Sequence, residues 1–79
     1  MPTVRGIPSP HRFFFYSFDC NEPKHVHVRR ERRMCKFWLE PVALCMNDGF
    51  SPVELNRIRS IVLKYHNRIR EAWDGHCGK

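Results

Sequence analysis

The chain has 79 residues, with 14 Lys and Arg against 8 Asp and Glu, a formal net charge of +6. That length leaves room for one small domain over residues 1–79 and argues against a deep, enclosed active site. Hydrophobic residues at 42% and charged residues at 28% exclude wholesale disorder.

In chain order, Val4 to Ile7 reads as a first short strand ended by Pro8 and Pro10. Arg12 to Phe18 is aromatic and reads as a second strand. Asp19-Cys20-Asn21-Glu22-Pro23 is turn chemistry. His25 to Arg30 and Met34 to Glu40 alternate with period two and form a third and a fourth strand around a basic turn at Glu31 and Arg32. Val42-Ala43-Leu44 adds a short fifth segment before the Asn47-Asp48-Gly49 turn. The helix is the clearest element: Ser51 caps it, Pro52 opens it and Glu54 completes a capping box, with Phe50 placed to staple on Leu55. Leu55, Ile58, Val62, Tyr65, Ile69 and Ala72 then recur at helical spacing, flanked by Ile61 and Trp73, until Asp74-Gly75 stops the run. The expected fold is α+β: an antiparallel meander of about four strands over residues 3–44, with one long helix over 52–74 on one face.

Strand parity predicts which side chains face away from that helix. Val26, Val28, Cys35, Phe37 and Leu39 point to the core. Arg12, Phe14, Tyr16, His25, His27, Arg29, Lys36 and Trp38 are expected on an exposed outer face that mixes cations with aromatics. On the helix, Arg57, Lys64 and Arg68 on one flank, with Arg59, His66 and Arg70 on the other, read as cations snorkelling around a buried seam. Leu63 stands outside the apolar stripe.

The charge is uneven. Residues 1–39 hold eight basic and three acidic side chains, and residues 40–79 hold six and five. Arg29, Arg30, Arg32, Arg33 and Lys36 crowd into eight positions with only Glu31 against them. Such a patch predicts a polyanionic partner, either nucleic acid or an acidic protein. Tyr16 and Trp38 would stack bases while Arg12 and the basic run contact phosphates. No zinc-finger, helix-turn-helix or ribonucleoprotein signature accompanies it.

Cys20, Cys35, Cys45 and Cys77 form no C-x-x-C pair, so no zinc ribbon is indicated and no metal or other cofactor is expected. The longest apolar stretch, Phe13 to Ser17, is too short to span a bilayer, and no signal-peptide pattern follows Met1. A cytoplasmic protein with free thiols is the expectation. Cys35 and Cys45 read as small hydrophobes, and Cys77 as an exposed thiol able to crosslink two chains.

His25-Val26-His27 is the sharpest local feature. Two imidazoles side by side on a strand suit metal binding, given a third ligand from Cys20, Glu22 or Glu40. They also suit general acid–base chemistry, such as ribonuclease-like cleavage with Arg12, Arg29 or Lys36 stabilising the developing charge. The alternative is a pair of half-exposed histidines making cross-strand contacts.

Six segments carry a family resemblance: Met1-Pro2-Thr3-Val4, Phe14-Phe15-Tyr16-Ser17, Asn21 to Val28 (NEPKHVHV), Lys36 to Val42 (KFWLEPV), Asn47-Asp48-Gly49-Phe50-Ser51 and Glu71-Ala72-Trp73. In that order they resemble the small prokaryotic domain of unknown function numbered 4160. The resemblance implies a tiny single-domain protein encoded beside another small protein in a two-gene, toxin–antitoxin-like or mobile-element cassette. The sequence departs from that family at Arg29-Arg30-Glu31-Arg32-Arg33, where many members have a glycine-containing, less basic turn.

Together these readings predict a non-enzymatic binding protein of such a cassette, engaging nucleic acid or an acidic protein. The alternatives are a ribonuclease-like toxin using His25 and His27, and a phage or mobile-element anti-defence protein docking on a nucleoprotein complex. A homodimer through Phe14, Tyr16 and Trp38 is compatible with the thin core.

Overall fold

A computed structural model describes residues 3–78. Four strands, β1 (Arg12–Phe14), β2 (His25–Arg30), β3 (Arg33–Leu39) and β4 (Val42–Asp48), pair in sequence order as an antiparallel meander. A 3-10 turn, Asp19–Asn21, separates β1 from β2, and helices α1 (Pro52–Lys64) and α2 (His66–Cys77) follow β4. The fold is the α+β arrangement that the hydrophobic pattern predicts.

Period-two alternation decides the layers. Val26, Val28, Cys35, Phe37 and Leu39 join Phe13 and Phe15 in one buried cluster with Ile58, Val62, Ile69 and Trp73 of the helices. Leu55, Ile61, Tyr65 and Ala72 close the seam at its margins, while Leu63 stays exposed. The flanking cations cover this layer as expected: the Arg59 guanidinium lies 5.4 Å from the Phe37 ring centroid, and the Lys64 ammonium 5.5 Å from that of Tyr65.

Several expectations need correcting. Val4 to Ile7 is not a strand: it contributes one hydrogen bond, from Val4 N–H to Phe13 O, beside a single bridge between Thr3 and Phe14. Gly6 breaks the extended run at φ 84°, a conformation that glycine tolerates best, with the Arg68 guanidinium packed against its Cα. The second strand ends at Phe14 instead of Phe18, because the chain leaves the ladder to form the 3-10 turn. The short fifth segment is the first part of a seven-residue strand running to Asp48. A bulge between Lys36 and Phe37 shifts the register there and masks the alternation in the sequence.

The long helix is broken at Tyr65 (φ −105°, ψ 24°). His66 anchors the break by donating from Nε2 to the Leu39 carbonyl oxygen at 2.6 Å. The second piece runs past Gly75 to Cys77 and is capped by Gly78 in the left-handed region. Only half of the capping box forms. Ser51 Oγ accepts from Glu54 N–H at 3.2 Å, but the Glu54 carboxylate turns away from the cap towards the sheet.

The extra turn of α2 brings Cys77 to the 3-10 turn, where it forms a disulfide with Cys20. Neither is the free thiol the sequence suggests, and Cys77 is not available to crosslink chains. A disulfide is at home in an oxidising compartment, so the thiols no longer argue for a cytoplasmic one. Cys35 is buried as expected, whereas Cys45 is exposed on the β4 edge strand. No described helix is long and apolar enough to cross a membrane.

Cys20 and Cys77 are 57 residues apart, so the link closes most of the chain into one loop. By loop-closure entropy, reduction should cost up to about 4 kcal/mol of stability. Chemical denaturation with and without reductant measures this, and Cys20→Ser should reproduce the reduced value.

Candidate functional site

The outer face of the sheet is where the sequence places its candidate residues, and the structure divides that face in two. Register sets Arg12 beside Arg29, Phe14 beside His27, His27 beside Lys36 and His25 beside Trp38. Orientation therefore follows parity. Exposure does not.

His25 is 0% exposed and His27 7% exposed, and Phe14 is 0% exposed. The expectation of two outward, accessible histidines fails for a non-local reason. The chain after Phe14 folds back over the outer face, and the end of α2 is tied to it through Cys20. The rings then pack together. Phe14 stacks on His27 at 5.5 Å between centroids and Tyr16 meets it edge-on at 4.7 Å. Trp73 of α2 and Trp38 of β3 meet His25 at 4.9 and 5.7 Å. Phe14 is consequently unavailable as a dimer contact.

Asp19, a residue outside the sequence-based set, is the centre of this cluster and is only 3% exposed. Its Oδ2 accepts from Tyr16 N–H at 2.7 Å, while its own N–H donates to Tyr16 O at 3.1 Å. This reciprocal pair holds the turn. His27 Nε2 lies 3.1 Å from Asp19 Oδ2 and donates to Oδ1 at 3.4 Å. His25 Nε2 lies 3.2 Å from Asp19 Oδ1. Burial disfavours the carboxylate charge, but Tyr16 N–H and the two imidazoles outweigh it and hold the Asp19 carboxyl below its ordinary range. Burial also lowers the His27 pKa, with the Asp19 charge opposing. Turn propensity in the sequence locates Asp19 but gives no sign that its side chain points inward.

The remaining histidines have structural partners too. His11 donates from Nε2 to Glu54 Oε2 at 2.9 Å and takes Ser9 Oγ on Nδ1 at the same distance. His76 donates to Tyr16 O at 3.0 Å. Cys35 offers no nucleophile, since burial pushes its thiol up to about 12.

The basic run also divides. Arg30 and Arg33 are a cross-strand pair whose guanidiniums lie 3.3 and 3.4 Å from Glu54 at the start of α1, and Arg33 also reaches Glu31 at 2.7 Å. Lys36 is bound to Glu22 and sits 4.7 Å from the Trp38 ring centroid. These three cations are paired with carboxylates within the fold. Arg12, Arg29 and Arg32 are exposed and have no carboxylate partner among the described residues. Arg12 and Arg29 stand directly opposite each other, an arrangement that repels unless an anion bridges it. Glu31, at φ 57°, turns the chain between them and Arg33 in a conformation that favours glycine.

One further aromatic escapes sequence reasoning. Phe18 is 66% exposed and stacks parallel to Tyr16, 5.4 Å between centroids and 5° between planes. Tyr16 in turn meets Phe14 edge-on, and Arg12 lies over the Phe14 ring. A continuous path therefore runs from the exposed ring of Phe18 to the Arg12–Arg29 pair.

With this geometry in place, the chain can be assigned. It belongs to the family described as Domain of unknown function (DUF4160), whose model matches residues 11–74. That range contains the Asp19 cluster, the free arginines and Phe18. Neither the curated proteins nor the solved structures yield a match.

Glu54 supplies a pH test of how the basic run is held. His11 chiefly, then Arg33 and Arg30, hold its carboxyl below the usual 4.5. A carboxyl lowered on folding stabilises above its unfolded pKa and loses that contribution as pH falls through the folded one. Glu54→Gln should therefore lower the melting temperature at pH 7. The difference from wild type should shrink progressively once the pH falls below 4.5. Thermal unfolding followed by circular dichroism between pH 7 and 2.5, a window of about 4.5 units, reads both effects.

Proposed function

We propose that the protein is a non-enzymatic binding module for single-stranded nucleic acid. In this reading Phe18, backed by Tyr16, stacks a base, while Arg12, Arg29 and Arg32 contact flanking phosphates. The observation that carries it is an exposed ring joined through stacked aromatics to a pair of unneutralised, cross-strand arginines. Exposed aromatic platforms beside backbone-tracking cations suit single strands, because every base offers a face to stack. An acidic protein would use the arginines but has no need of the ring. Trp38 and Lys36, engaged with each other and with Glu22, take a supporting place at the margin.

The two-gene, toxin–antitoxin-like cassette implied by the family resemblance belongs to this proposal, as the setting in which such a module would act. Docking on a nucleoprotein complex, as an anti-defence protein would, calls on the same arginines. Ribonuclease chemistry at His25 and His27 gains no support from the geometry, since both rings lie beneath the 3-10 turn, out of reach of a phosphodiester.

Fluorescence anisotropy with labelled single-stranded RNA and DNA tests the reading. Phe18→Ala should weaken binding at every salt concentration by about 1–3 kcal/mol while leaving the fold intact. Arg12→Ala with Arg29→Ala should reduce the slope of log affinity against log salt by about 1.4, two contacts at about 0.7 each. Binding that is indifferent to salt, or competed equally well by polyglutamate, would sink the nucleic-acid reading.

A further inference from the structure

The Asp19, His25 and His27 cluster contains two ring nitrogens that hydrogen bonding leaves unaccounted for, His25 Nε2 and His27 Nδ1. His25 Nδ1 lies 2.8 Å from the Pro23 carbonyl oxygen, which can only accept, so Nδ1 carries the proton. With the ring in its neutral form, Nε2 is a bare lone pair, fully buried and without a hydrogen-bond partner. It nevertheless faces an ionised carboxylate, with Asp19 Oδ1 at 3.2 Å but off the hydrogen-bonding line. Two electron-rich atoms at that distance in a dry environment repel each other. Something positive belongs between them.

We propose that Asp19, His25 and His27 bind one divalent transition cation of the Zn²⁺ type, which pins the 3-10 turn to β2. The donor atoms of all three residues lie within 4.8 Å of one another. Ligands around a tetrahedral Zn²⁺, at bond lengths of about 2.0–2.2 Å, stand about 3.3 Å apart. The contacts from Asp19 oxygens to His25 Nε2 (3.2 Å) and His27 Nε2 (3.1 and 3.4 Å) have this edge length. A shared ion also explains the misaligned His25 contact, because that lone pair then points at the metal and not at Asp19, while His27 would exchange its Nε2 proton for the metal and carry its proton on Nδ1, which has no other partner. Pro23 O on the far nitrogen of His25 is the outer partner that a metal-bound imidazole needs to fix its tautomer. Two imidazoles and one carboxylate suit Zn²⁺ better than Mg²⁺ or Ca²⁺, which favour all-oxygen sites. The deep burial assigns the ion a structural role. The sequence offers the two imidazoles but looks for the third ligand at Cys20, Glu22 or Glu40, whereas the residue beside them in the fold is Asp19.

A second group, Cys20, His76 and Cys77, also has its donors close together, but the disulfide occupies both sulfurs. The test therefore uses the full chain with its disulfide intact, stripped by a chelator and dialysed. Titration calorimetry with zinc chloride should give one equivalent bound, and the melting temperature should rise with zinc and fall again with chelator. Cobalt(II) in place of zinc should give the strong visible bands of four- or five-coordination without a thiolate charge-transfer band.

Asp19→Asn and His27→Gln should weaken binding by more than about 100-fold, because losing outer partners alone costs about 10- to 100-fold. His76→Gln should leave it unchanged. If the ligand variants fail to fold, nitrogen-15 spectra of the wild-type histidines decide: Nε2 of His25 should shift on zinc addition while Nδ1 keeps its proton. Overturning results would be the absence of stoichiometric binding, a thiolate band in the cobalt spectrum, or a protonated His25 Nε2 with zinc present. The last would make the cluster a buried imidazolium–carboxylate pair.

Discussion

The fold of the outer face depends on one buried carboxylate. Asp19 is removed from water on a face that strand parity would leave open, and Tyr16 N–H and His27 Nε2–H donate to its carboxylate there. Once that turn is seated, Phe14 and both strand histidines become interior residues. The sheet then has two covered faces, one under the helices and one partly under the Asp19–Asn21 turn. A chain of this size gains from that, since the fraction of surface buried on folding is low in small domains. The disulfide fixes the same arrangement from outside by tying the turn to the last residue of α2.

Charge is partitioned by the same logic. Net charge identifies an excess of cations but not which of them are free. Glu54 answers for Arg30, Arg33 and His11 together, drawing the helix N-terminus onto the end of the β2–β3 hairpin. A carboxylate in the first turn also suits the helix dipole, so one residue serves cap, ion pair and layer contact. What remains without a carboxylate partner on the outer side of the hairpin is Arg12, Arg29 and Arg32. The apparent eight-residue patch is thus a smaller cationic feature, extended towards an aromatic one at Phe18.

The sequence shows clearly those elements whose cause is local. Alternation in His25 to Arg30 and in Met34 to Leu39 assigns both core and outer faces, and Ser51-Pro52 marks the helix start within a residue. It fails where the cause lies far along the chain. The break at Tyr65 contains neither proline nor glycine, and the ring beside it is held by a carbonyl 27 residues away. Burial of His25 depends on Trp73, Asp19 and the Cys20–Cys77 link, none of which a strand pattern reports. In β4 a bulge cancels the period-two signal beyond Leu44. Asp19 itself is indistinguishable in sequence from any turn aspartate.

These failures share a physical origin that bears on function. A histidine pair on a strand advertises reactivity when exposed, because imidazole titrates near neutrality and reaches solvent. Beneath a turn the same pair is shielded: burial lowers the His27 pKa, and a hydrogen bond holds one nitrogen of each ring. Rings so buried are screened from solvent, and they give rigid support to whatever lies above them. Above them here are Tyr16 and, stacked on it, Phe18. The buried cluster and the exposed ring are therefore one construction: the carboxylate seats the turn, and the seated turn presents the aromatic edge alongside the free arginines.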